Sequence, residues 1–178
     1  MAAIVELEAA LLKAAPDALN RDQPWFKTWS QAGKQHSPRK VTPSDAFSTR
    51  LSENFTLGEF ALGQPARRFV AQHQVNTAIE LAAFMEKVRT AFGDKRVTIT
   101  SGYRPPAINR QVGGASASEH LYSAPNVGAV DFYIDGADIN KVQAWCDREW
   151  PYSLGYGAHK GFVHIGMRQG RPRVRWDY

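Results

Sequence analysis

Between Gln74 and Phe92 the apolar residues Val75, Ile79, Leu81, Ala82, Phe84, Met85 and Val88 form one broad stripe at helical spacing. This predicts a long amphipathic helix, ended by Gly93-Asp94. A second helix is predicted from Asp138 to Trp150, with Asp138 near its start, and a short one from Ala107 to Val112. Thr56 and Glu59, three residues apart, suit a capping box at the start of a single turn. The β-branched run Val97-Thr98-Ile99-Thr100 reads as a strand, and so does Val127 to Ile134. Tyr152 to Tyr156, Gly161 to Met167 and Arg173 to Trp176 are three shorter candidates. Helices and strands alternate without the rhythm of a parallel sheet. The predicted fold class is therefore α+β: a small, mostly antiparallel sheet flanked by helices.

The first fifty residues follow another pattern. Ile4, Leu7, Leu11 and Leu12 fall at helical spacing over residues 3–14, and Pro16 stops that helix. From Asn20 to Ser48 periodicity dissolves, leaving Trp25, Phe26 and Trp29 as isolated aromatics in a polar stretch. We read 1–50 as an N-terminal helix and extended arm, and 51–178 as the domain proper. The helix has an apolar face that needs a partner, either on the domain or on another protein.

Composition narrows the function classes. A chain of 178 residues with 43% hydrophobic and 22% charged positions suits one globular domain. The net charge of +5 favours anionic partners such as nucleic acid, a membrane surface or an anionic wall polymer, without choosing among them. No helix-turn-helix or zinc-finger pattern is present, so no nucleic-acid partner is expected. No apolar run is long enough for a membrane span. Met1-Ala2-Ala3-Ile4-Val5-Glu6-Leu7-Glu8 lacks the basic start of a secretory signal, so synthesis in the cytoplasm without Sec export is expected. Cys146 is the one cysteine, which excludes an intrachain disulfide and a thiolate metal cluster; it reads as a small buried hydrophobe.

The chemistry concentrates in three places: Ser118-Glu119-His120, Gly128-Ala129-Val130-Asp131 and Phe162-Val163-His164-Ile165. His120, Asp131 and His164 supply two imidazoles and a carboxylate, the ligand count of a catalytic zinc site that keeps one position open for water. Side chains alternate along a strand, so Val163 and Ile165 can face the core while His164 faces a cleft. On residue types alone a second reading stands beside this one: a loop histidine, a turn or salt-bridge aspartate and a satisfied strand histidine. Arg104 offers a rigid fork of donors for a carboxylate or oxyanion, or else makes a structural ion pair.

Ordered blocks decide between these readings. Ser101-Gly102-Tyr103-Arg104-Pro105, Val112-Gly113-Gly114-Ala115, Ser118-Glu119-His120, Gly128-Ala129-Val130-Asp131, Gly161-Phe162-Val163-His164 and the Arg-x-Arg-Trp of residues 173–176 resemble the M15 family of zinc D-Ala-D-Ala peptidases, in its DUF882-like M15A branch. The resemblance covers roughly residues 53–178. It implies the Hedgehog/DD-peptidase fold, bound Zn2+, and a metallopeptidase hydrolysing peptidoglycan stem peptides, either as a D,D-carboxypeptidase/endopeptidase or as an L-Ala–D-Glu endopeptidase. His120, Asp131 and His164 match the metal ligands, and Arg104 and Ser118 match substrate-side positions. With no secretory signal read, the expected setting is a lysin acting at the cell wall or carried in a phage particle.

Three departures qualify the match. The family pattern S-x-H-x-x-G-x-A-x-D places His and Asp seven positions apart, whereas His120 and Asp131 are eleven apart. A longer loop keeps both ligands in place, because closure entropy grows slowly with length, and it would reshape the cleft wall. The acid that relatives carry three residues before the last ligand, as general base, is Gly161 here, and the Asp that many carry two residues after it is Gly166. His159 is the candidate base, imidazole being the side chain suited to proton transfer near neutral pH, or else an exposed turn histidine. Glu119 and Asp177 are the other candidates. The missing acid also suits an alternative: a catalytically degenerate module that binds the wall or serves in a phage tail.

Overall fold

A computed structural model describes residues 40–168 and 173–178 of the chain. The expected N-terminal helix and the aromatic residues of the arm lie outside the described residues. Val41–Tyr178 forms one compact unit.

The helices are α1 (Leu57–Phe60), α2 (Gln72–Ala91), α3 (Pro106–Gln111) and α4 (Ile139–Glu149). The strands are β1 (Val97–Ser101), β2 (Val127–Ile134), β3 (Ser153–Tyr156), β4 (Val163–Arg168) and β5 (Val174–Asp177). The capping box at α1 is formed: the Thr56 amide donates to Glu59 Oε2 at 2.7 Å, and the Glu59 amide donates back to Thr56 Oγ1. Helix α2 starts two residues ahead of the predicted Gln74. Its first turn is closed by the Gln74 side chain, whose oxygen accepts from the amides of Val70 (2.8 Å) and Ala71 (3.1 Å). Asp138 caps α4 by accepting from the Asn140 amide.

The sheet has five strands in the order β1-β2-β4-β3-β5. Every pairing is antiparallel except that of β3 with β5. The α+β expectation therefore holds, with one parallel edge. Alternation sorts the two central strands. Val130, Phe132 and Ile134 on β2, and Val163, Ile165 and Met167 on β4, join the apolar face of α2 (Val75, Ala78, Leu81, Ala82, Met85, Val88) in one core. Each Val, Leu, Ile, Phe or Met side chain among them contributes about 1.5–3 kcal/mol by leaving water. Asp131, His164 and Gly166 occupy the intervening positions, on the opposite face.

Candidate metal centre

Antiparallel register brings the first two polar residues together. Asp131 on β2 pairs with His164 on β4, and His164 Nδ1 and Asp131 Oδ1 stand 2.6 Å apart. His120 arrives from elsewhere, on the 3-10 turn Glu119–Leu121. Three contacts fix it. Ser118 Oγ accepts from the His120 amide at 3.3 Å. The His120 carbonyl accepts from the Arg104 amide at 2.8 Å. His120 Nδ1 donates to the Gly102 carbonyl at 2.8 Å. Gly102 is itself seated against α1, where a Cβ would stand 2.2 Å from the Phe60 carbonyl oxygen.

With Nδ1 committed to Gly102, His120 presents the lone pair of Nε2. That atom is buried and has no hydrogen-bond partner. It lies 3.2 Å from Asp131 Oδ2, without hydrogen-bond alignment. One ligand atom each from His120, Asp131 and His164 falls within 4.8 Å of the others. An orphaned buried lone pair facing a carboxylate and a second imidazole fits a metal ion with three protein ligands and an open position.

The electrostatics agree. Burial pushes the Asp131 carboxyl up, but the two imidazoles beside it outweigh this and hold it well below the usual carboxylate range. Burial lowers His120, keeping it neutral, as a ligand must be. Burial also acts to lower His164, but Asp131 and Glu119 outweigh it and raise this imidazole. Arg104 is lowered by burial, against the pull of Asp131 and Tyr178. Its Nε is buried without a hydrogen-bond partner, leaving a donor free for an anion entering beside the three residues.

Other predicted residues take different places. Ser118 caps the turn that carries His120. His159 lies in the 3-10 turn Ala158–Lys160 between β3 and β4, exposed and without a hydrogen bond, ion pair or ring contact among the described residues. The structure does not bring it onto the triad. Gly161, where relatives carry an acid, has φ +87°, a conformation in which any side chain is strained. Asp177 is exposed on β5.

Sequence reasoning left three features unassigned. Trp176 packs edge-on and Tyr178 tilted against His164, at 5.1 and 5.8 Å between ring centroids, and both rings lie over Gly155. Glu119, named only as a candidate base, lies beside His164 Nε2 at 3.4 Å. In the longer loop after His120, Tyr122 is fully buried and its hydroxyl donates to the Ala129 carbonyl at 3.0 Å. Motif position offered a signal for Trp176 and Glu119, and none for Tyr178 or Tyr122.

A family model described as peptidase M15 matches residues 53–166, a span that contains Arg104, His120, Asp131 and His164. A zinc D-Ala-D-Ala carboxypeptidase from Streptomyces albus G is 44% identical over 89 residues, which is 49% of this chain and 34% of that protein. The chain thus spans about a third of the length of the curated relative it matches.

Proposed function

This chain belongs to the peptidase M15 family, and from that membership we propose that it is a zinc peptidase hydrolysing peptidoglycan stem peptides. The observation that carries the reading is the buried, unpartnered Nε2 of His120 facing Asp131 and His164, with the free Nε of Arg104 nearby. The Streptomyces albus G relative, a zinc D-Ala-D-Ala carboxypeptidase, supports a D-Ala-D-Ala substrate. D,D-carboxypeptidase/endopeptidase and L-Ala–D-Glu endopeptidase activities are the two forms considered.

In this reading His120, Asp131 and His164 hold the ion. Zinc, when bound, polarises the scissile carbonyl and lowers the pKa of its water to about 7. Arg104 orients the stem peptide through a carboxylate or carbonyl oxygen, a task suited to a half-buried guanidinium with an unused donor. Ser118 accepts from the His120 amide and retains its own O–H, which can reach a substrate oxygen. His159 is the proposed proton carrier, a role worth about 10²–10⁴-fold in rate. It must swing from its exposed turn to serve. The chain's positive charge suits an anionic wall, including the setting of a lysin released onto it.

One observation favours a second reading. Gly161 stands at the resembling enzymes' acid position, and its backbone conformation disfavours any side chain there. The same cleft would then bind stem peptides without cutting them. Metal analysis together with muropeptide mass spectrometry on digested peptidoglycan tests both. The peptidase reading expects about one zinc per chain and loss of stem-peptide residues, both abolished in His164→Ala. Bound zinc with retained wall binding and no cleavage selects the binding module. No bound zinc overturns the site. An unchanged rate in His159→Ala removes that residue from the mechanism.

A further inference from the structure

His164 is held at both edges of its ring. Nδ1 faces Asp131, and Nε2, across the imidazole, faces Glu119 Oε2 at 3.4 Å, longer than an ordinary N–H···O bond. The Glu119 carboxylate is itself built in. Ser153 Oγ donates to Oε2 at 2.8 Å, Arg168 Nε pairs with Oε1 at 3.3 Å, and the side chain is only 12% exposed. Its slot exists because residue 166 is glycine. A Cβ on Gly166 would stand 1.7 Å from Glu119 Oε2 and 2.9 Å from Glu119 Cδ. Gly166 lies two residues beyond His164 on β4, on the same face of the sheet, and pairs with Ser153 on β3. The carboxylate of the turn therefore occupies the volume that a side chain on the strand would fill.

We propose that Glu119 is the positioning residue of His164: it accepts the Nε2–H and so turns Nδ1, with its lone pair, toward the metal. The proposal rests on the reading of His120, Asp131 and His164 as zinc ligands, and it names how one of them is oriented. Imidazole ligands depend on such a partner on the far nitrogen for ring orientation and tautomer. On this reading Glu119 would serve the His164 ring rather than act as the general base. The same geometry makes Glu119 and Gly166 one feature. An acid can reach His164 Nε2 from the turn or from the strand, but the two cannot share the space.

The test is zinc affinity, measured by competition with a chromophoric chelator, for wild type, Glu119→Gln, Glu119→Ala and the double variant Glu119→Ala/Gly166→Asp. Loss of the carboxylate weakens zinc binding by about 10–100-fold in Glu119→Ala. Glu119→Gln, which keeps an acceptor oxygen, loses less. The double variant recovers most of the loss, with the Ser153 hydroxyl rotating to the new acid. Imidazole ¹⁵N spectra of the zinc-loaded proteins give a second readout: the Nε2–H signal of His164 is protected in wild type and in the double variant, and exchange-broadened in Glu119→Ala. Melting of the metal-stripped proteins checks folding. If Glu119→Ala does not fold, the isosteric Glu119→Gln carries the comparison. Wild-type affinity in a folded Glu119→Ala overturns the positioning role while leaving the ligand assignment intact. A double variant no tighter than Glu119→Ala overturns the shared slot. Absence of zinc from the wild type overturns the ligand assignment itself, and the proposal with it.

Discussion

Gly102 carries more of the site than its size suggests. Its carbonyl accepts from His120 Nδ1, and its missing Cβ lets β1's exit loop pass against α1, where the Tyr103 amide donates to the Phe60 carbonyl at 2.9 Å. Gly102→Ala would place a methyl 2.2 Å from that carbonyl oxygen, which is main chain and cannot swing away. The loop must shift, and the acceptor of His120 shifts with it. Overpacking of this kind destabilises by about 1–3 kcal/mol. Urea denaturation of the metal-stripped variant should show a lowered midpoint at unchanged m-value. A wild-type midpoint would mean that the loop is softer than its contacts indicate. Sequence marked Gly102 only as part of a motif. Its reason lies in Phe60, on a helix far away in the chain.

At the scale of elements, the sequence pattern missed the short 3-10 turns but placed every α-helix and strand described, with ends displaced by a residue or two. It did so because the apolar stripes of α2, β2 and β4 are long and regular. Pairing order was beyond it, since nothing local distinguishes an antiparallel edge from the parallel one that β5 makes with β3. That edge is held by side chains. Arg175 donates to the carbonyls of Asp147, Trp150 and Tyr152 and pairs with the Asp147 carboxylate, which Arg173 also reaches. Burial acts to raise Asp147, but the Arg175 and Tyr156 hydrogen bonds and the two guanidinium charges outweigh it, and the carboxyl is lowered from its ordinary 3.8. A depressed carboxyl contributes stability that is complete above its unfolded pKa and is lost as pH falls through its folded value. The urea midpoint of wild type should therefore fall more steeply than that of Asp147→Asn between about pH 5 and about pH 2. Asp147 is 30% exposed, so the difference is modest and shrinks in high salt. Parallel pH profiles for the two proteins would show that the pair does not hold the edge.

For the whole molecule, the legible part of the site was its residue types in order, and the illegible part was everything that orients them. Two histidines and an aspartate can be read from blocks of motif. The commitment of His120 Nδ1 to Gly102, the Glu119 carboxylate seated over Gly166, and the displacement of His159 from the triad each depend on segments meeting in space. The proposed metal would tie those segments further, because its ligands come from the turn after α3 and from two central strands of the sheet. An unfolded chain offers no such convergence, so zinc should bind the folded state selectively and stabilise it by mass action. At a free concentration of one hundred times Kd the gain is about 2.7 kcal/mol. For a chain of this size that corresponds to a rise of roughly 5–11 °C in melting temperature. Calorimetry of chelator-stripped protein, with and without zinc, measures it directly. The rise should disappear in His164→Ala and in Asp131→Asn, which lack a ligand, and persist in His159→Ala, which keeps all three. An equal rise in the ligand variants would trace to zinc on exposed side chains and count against the triad as the binding site.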